Sequence, residues 1–166
     1  MNSQNSDNIQ IPQDDCLVDK REIEFDRDPN EVLENIWSIG GKRGWYYLNW
    51  LWAIRGFLDQ MIGGVGLRKR RGDNTDLKPG DPLDLFRVLV ADKKKMRLLL
   101  QAEMKLPGDA WLEFKITPHE EGGRLKQTST FNPDGLSGRI CWYALYPIHV
   151  IVFQGMIKRI AQYNYS

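Results

Sequence analysis

The chain is short of the residues that build reactive sites by themselves. Its 166 residues include two cysteines, Cys16 and Cys141, and two histidines, His119 and His149. Two thiols make neither a disulfide framework nor a ligand set, and they read as reduced cysteines of a cytoplasmic protein. With His119 in a turn and His149 in an apolar segment, no metal site is expected, nor any other cofactor. Net charge is nearly absent: +1 supplies no field to gather nucleic acid. A phosphate-cradling glycine fingerprint is missing too, because Gly63-Gly64-Val65-Gly66 follows a helical pattern rather than a strand. No Ser/His/Asp or Cys/His spacing stands out, although such triads assemble in space rather than in sequence. The first 14 residues are polar and lack the apolar stretch of a signal peptide. They are expected to be a disordered tail, with 15–166 as a single domain.

One further absence is the most informative. From Ile140 to Ile157 there is no Lys, Arg, Asp or Glu. Such a stretch approaches the length of a membrane span, about 17–25 residues. Pro147, His149 and Gln154 within it are costly in lipid, and the strands before it need a partner. The expectation is a buried core helix and no membrane insertion.

What is present are periodicities. Leu17–Phe25 reads as a strand with imperfect alternation. Asp28, Pro29 and Glu31 form a capping-box start with proline in its favoured place. Val32, Leu33, Ile36 and Trp37 then make an apolar stripe that Gly40-Gly41 should end. A second helix is expected from Trp45 to Ile62, with Tyr47, Trp50, Ile54, Phe57, Leu58 and Met61 on one face. Trp45 and Trp52 fall near its polar face. Val65–Arg71 reads as a short strand. Four strand-like runs follow, at Pro82–Val90, Met96–Met104, Trp111–Thr117 and Arg124–Phe131. In the second, Met96, Leu98, Leu100, Ala102 and Met104 share a face, with Leu99 the exception. Period two with one polar side means an antiparallel sheet. Turns fall at Asp92–Lys95, Leu106–Asp109 and Glu120–Gly123. Asn132-Pro133-Asp134-Gly135 closes the sheet and opens a terminal helix, which Pro147 should kink near Tyr146. Its apolar face carries Tyr146, His149, Phe153, Met156, Ile157 and Ile160.

The candidate site residues lie where these faces meet. His149 sits inside an apolar helix face, where it serves as a general acid or base, or as a core histidine bonded to the backbone or to Tyr143. Gln127 and Ser129 share the side of Leu125 and Phe131, where an amide and a hydroxyl can orient a ligand; the alternatives are that they bond to each other or face water. Arg87, amid Leu85, Val88 and Leu89, is either a carboxylate anchor or an exposed strand arginine. Arg68–Arg71 and Lys93–Lys95 are basic runs that read as solvated loops and edge protection. Glu103 and Glu113 fall on wet strand faces. Tyr143, Tyr146, Trp50 and Phe114 complete the list as polar tips and apolar walls.

The order of strand, two helices, strand set and long helix resembles the START-like, or SRPBCC, helix-grip superfamily. More narrowly, the chain is similar to an uncharacterised family of small domains, some fused behind short-chain-dehydrogenase-like NAD(P)-binding domains. The stretches that carry this are Gly44-Trp45-Tyr46, Leu51-Trp52, Arg55-Gly56, Gly63–Arg68, Glu103–Gly108, Ala110–Phe114, Phe131-Asn132-Pro133 and Trp142–Leu145. The resemblance implies an α+β fold in which a curved antiparallel sheet of about six or seven strands wraps a long kinked C-terminal helix, with two helices between its first and second strands. It implies a cavity for a small hydrophobic or aromatic ligand. It also implies two alternatives. One is a cyclase- or aromatase-like enzyme using His149 aided by Tyr143. The other is an accessory domain that docks on a separate NAD(P)-dependent oxidoreductase through Trp45 and Trp52.

Overall fold

Why the strands alternate as they do is visible in a computed structural model. It describes residues 9, 11, 14–39, 57, 60–63, 76–83, 85–103 and 105–163. Six antiparallel strands form one sheet in the order β1-β6-β5-β4-β3-β2. They are β1 (Leu17–Phe25), β2 (Pro82–Leu83), β3 (Phe86–Asp92), β4 (Arg97–Ala102), β5 (Gly108–His119) and β6 (Gly122–Pro133). Two helices complete the described elements: α1 (Pro29–Trp37) and α2 (Gly135–Gln162). The first strand in sequence closes the sheet beside the last, and α2 lies against both of them and against α1. This is a helix-grip architecture.

Register fixes which residues face α2. Leu17, Asp19, Arg21, Ile23 and Phe25 stand opposite Phe131, Ser129, Gln127, Leu125 and Gly123. Those β6 residues stand in turn beside Ala110, Leu112, Phe114, Ile116 and Pro118 of β5. Directly opposed residues share a face, so these rows form one inner wall. Leu98 and Leu100 of β4 continue it, followed by Val88 of β3. The wall packs on Val152, Phe153, Met156, Ile157 and Ile160 of α2 and on Val32, Leu33, Ile36 and Trp37 of α1. Burying each such side chain contributes roughly 1.5–3 kcal/mol.

The strand expected at Pro82–Val90 is two strands. Its second part carries a bulge between Val88 and Val90, and one extra residue turns the following side chains to the other face. Val90 therefore joins Leu99 and Trp111 in a small cluster on the outer face. That explains Leu99, the break in the β4 alternation. Ile9 and Ile11, in the stretch expected as a tail, lie half-buried against this same outer cluster.

The Asp28 side chain caps α1 by accepting from the Asn30 amide at 2.9 Å. The capping box is incomplete, because Glu31 is drawn instead to Arg27, at 2.9 Å from Nη2. The helix stops at Trp37 with Ser38 as C-cap, before the two glycines. Gly122 makes the β5–β6 turn possible. Its φ is +143° and any Cβ would collide with the Phe25 carbonyl. Gly138 does the same for α2, whose first turn rests against the Pro107 carbonyl and Pro133 too closely for a side chain.

The long helix is one element of 28 residues with Pro147 inside it. One expectation about it needs correction: it is not buried along its whole length. Although it is long and apolar enough to cross a membrane by length and composition, only 28% of its most apolar window is buried. Leu136, Ile140, Tyr143, Ile148 and Ile151 on its outer side are exposed. Of the expected second helix, Phe57, Gln60 and Met61 are helical. Phe57 and Met61, assigned there to an apolar face, are exposed. The rest of that helix, with Trp45, Trp50 and Trp52, lies outside the described residues, as do the expected strand at Val65–Arg71 and the basic run Arg68–Arg71.

Candidate functional site: a polar seam between sheet and helix

The inner wall is apolar except at one place. On β1, Asp19 and Arg21 point inward, bonded to each other: Arg21 Nη2 donates to Asp19 Oδ2 at 3.0 Å. Their side chains are 5% and 19% exposed, so this is a largely desolvated ion pair. Arg21 Nε lies 3.0 Å from Asp19 Oδ1 but is misaligned with it, and it is left without a hydrogen bond. Directly across, Gln127 of β6 is 1% exposed and its Oε1 has no partner. Ser129 stands across from Asp19 on the same wall.

Over this patch lies the first half of α2. Trp142 stacks on Phe131 at 5.8 Å with the rings 7° apart. It meets His149 edge-on at 5.6 Å and Tyr146 at 6.3 Å. His149 stacks on Phe153 at 5.4 Å. Residues 142, 146, 149 and 153 recur every three or four positions, so all four lie along one helix flank. Burial holds the His149 imidazole below its usual range, and the Asp19 carboxylate partly opposes that. Its Nδ1 is buried without a hydrogen-bond partner. Among the described residues, the buried side-chain polar atoms lacking a partner are these three, Arg21 Nε, Gln127 Oε1 and His149 Nδ1. Arg21 and Gln127 are cross-strand partners, and His149 on α2 feels the charge of the neighbouring Asp19.

Of the residues singled out from sequence, Gln127, Ser129, Phe114, Tyr146 and His149 are thus brought together, with Phe114 directly beside Gln127 on the wall. Tyr143 is not: at 62% exposure it stands on the outer flank of α2 and neither holds His149 nor faces the sheet. Arg87 is not either. Next to inward-facing Val88, it points outward, pairs with Glu103 at 3.1 Å and donates to the Gly80 carbonyl at 2.7 Å. Glu113 likewise pairs on the outer face, with Arg97 at 2.7 Å. Lys93 of the second basic run ties the β3–β4 turn to Glu34 of α1 at 3.2 Å.

Sequence reasoning missed Asp19, Arg21 and Trp142. A signal was present in β1. Its other flank, Val18, Lys20, Glu22 and Glu24, is the more uniformly polar one and faces out, which places the Asp19 and Arg21 charges on the inner side. No described cluster of His, Cys, Asp and Glu has the makings of a metal site. Cys16 is no better as a nucleophile, since burial and the carboxylates of Asp14 and Asp15 push its thiol pKa up.

Comparison with known proteins gives a family and a distant likeness of form. No curated protein matches the chain. Among solved structures, norcoclaurine synthase from Thalictrum flavum is similar at 13% identity and a TM-score of 0.46, over 89% of this chain and 88% of that one. A protein from Thermobifida fusca is similar at 12% identity and a TM-score of 0.48, over 90% and 97%. A protein from Mycobacterium smegmatis is similar at 14% and 0.47, over 90% and 93%. Residues 12–156, most of the chain, match the family model described as "Protein of unknown function (DUF2867)", and the chain belongs to that family.

Proposed function

We propose that the seam between the β1–β6 edge of the sheet and α2 binds a small hydrophobic or aromatic molecule, and that the chain is a binding module. The observation that carries this is the convergence of three unmet polar atoms, Arg21 Nε, Gln127 Oε1 and His149 Nδ1, on one aromatic-lined seam. An unmet buried polar group costs about 1–3 kcal/mol. Folded proteins keep few of them, and a binding site is a place where a ligand supplies the partner. Trp142, Phe131, Phe153 and Phe114 supply apolar walls. A ring-sized ligand buried against them gains several kcal/mol at about 25 cal/mol per Å². Ser129 and Tyr146 stand at the margins of the seam as further orienting groups.

A second reading is favoured by one feature of His149. An imidazole whose Nδ1 has no hydrogen-bond partner and which feels the Asp19 carboxylate is equipped to take up a proton. In that reading the pocket is a cyclase-like active site and His149 moves the proton.

Native mass spectrometry of freshly purified protein tests the first reading. The expected result is a co-purified or added aromatic molecule retained at one per chain. A chain that stays at its bare mass and binds none of a panel of aromatic probes would end it. His149→Ala separates the two readings: loss of turnover far beyond any loss of ligand affinity identifies an enzyme, and failure to find turnover with any bound ligand leaves the module.

A further inference from the structure

The seam also restricts the chemistry of what it takes up. Of the residues at inward-facing positions of the described strands, Asp19 and Arg21 are the charged ones. They are bonded to each other at 3.0 Å, so the inner wall is electrically balanced before any ligand arrives. The arginine that sequence reasoning offered as a carboxylate anchor, Arg87, is spent on Glu103 and Gly80 on the outer face. His149 faces the wall as an unpartnered imidazole. A carboxylate entering here would bring a net charge into a largely desolvated space where, among the described residues, no free cation meets it, which is strongly unfavourable. It would also point lone pairs at the unmet oxygen of Gln127.

Two of the unmet atoms are chemical opposites. Gln127 Oε1 accepts and Arg21 Nε–H donates, and the two residues are direct cross-strand partners. A single hydroxyl satisfies both, giving its proton to Gln127 and taking the Arg21 proton on its oxygen. A carbonyl serves only Arg21, and a hydrocarbon serves neither. On the binding reading given above, we propose that the ligand is an uncharged aromatic or alicyclic alcohol whose hydroxyl bridges Gln127 Oε1 and Arg21 Nε.

Three probes of nearly one shape test this: 2-naphthol, 2-naphthoate and 2-methylnaphthalene, titrated into the full chain near neutral pH and followed calorimetrically. The wild type is expected to bind 2-naphthol about tenfold or more tightly than either of the other two, the size of one hydrogen bond gained or one buried group left unmet. In Gln127→Leu the preference for 2-naphthol over 2-methylnaphthalene collapses to about twofold or less on the same reasoning. Equal or tighter binding of 2-naphthoate by the wild type overturns the proposal, and this comparison stands whether or not the variant folds. So does a hydroxyl preference that survives in Gln127→Leu. Binding of all three probes with no preference removes the bridged hydroxyl and leaves the apolar site; binding of none removes both.

Discussion

Two buried amides sit at opposite ends of the same interior. Asn35 of α1 is 0% exposed and Gln127 of β6 is 1% exposed. Asn35 Nδ2 donates to the carbonyls of Ile160 and Tyr163 at 2.9 and 3.0 Å. Those are carbonyls of the last helical turn and beyond, which have no partner inside the helix. Arg27 adds a donor to the Tyr163 carbonyl at 2.5 Å, and its positive charge suits that end of a helix. The chain neighbour of Asn35, Ile36, and its acceptor residue Ile160 both belong to the apolar core. Gln127 stands between Arg21 of the ion pair and Phe114, with its oxygen unmet. Burial alone therefore does not tell a structural polar group from one held ready for something else. What separates them is whether the fold itself brings the complementary atom.

The contrast can be broken first at the ion pair, where the largest effect is expected. Arg21→Met leaves Asp19 buried without its cation, and should cost about 3–5 kcal/mol of unfolding free energy. The double variant Asp19→Leu with Arg21→Met removes the charge along with its partner and should recover most of that loss. Urea unfolding of the three proteins decides it. If Arg21→Met unfolds at the wild-type midpoint, the pair is solvated in the working protein and the seam is not desolvated.

Next in size is the structural amide. Asn35→Leu strips two carbonyls at the end of α2 of their shared donor, and a loss of about 2–3 kcal/mol is expected. Gln127→Leu is the matched change at the other end and should have the opposite sign, a gain of up to about 1 kcal/mol, because it deletes a group whose desolvation nothing offsets. Parallel denaturation curves for these two variants sharpen the comparison more than either alone. Two losses of similar size would mean that Gln127 is as structural as Asn35.

That difference in role was only half legible in the amino-acid sequence. Alternation along β6 was clean enough to place Gln127 and Ser129 with Leu125 and Phe131 on the inner wall, and β1 spans the residues expected for it. Pattern reading works where one face is apolar throughout, because a shift of one residue would expose the whole face. It failed on β3 for the same physical reason. The bulge between Val88 and Val90 inserts one residue, so Arg87 and Leu89 could not be assigned to a face from composition. It failed on β1 because Asp19 and Arg21 are charges, and charges are assigned to water unless their partner is known. The partner sits two residues away, a spacing that looks like ordinary surface alternation. Asn35 was passed over as one polar residue in an apolar stripe, since its acceptors lie 125 and 128 residues along the chain.

The smallest expected effect concerns His149 and is read as a pH dependence. Burial lowers its pKa in the folded protein, with Asp19 opposing. Trp142 and Phe153 pack on its ring and do not titrate. The unfolded chain therefore binds the proton first as pH falls through the ordinary imidazole value, about 6.5. In that window the unfolded state holds more protons than the folded one, so stability falls as pH falls. The contribution is complete above the unfolded pKa and is lost towards the depressed folded value. Glu24 has a lowered carboxyl pKa, held down by His119 and then Arg124; it loses its contribution only in the more acidic carboxylate range. The two windows separate. His149→Phe keeps a flat ring between Trp142 and Phe153 and removes the group that titrates. Its stability should slope less than the wild type's between about pH 7.5 and about pH 5.5, with the slopes converging in the carboxylate range below. Identical slopes in the upper window would show that His149 takes its proton as freely as a solvated imidazole. The seam would then be wet, and the unmet atoms that mark it would already have water as their partner.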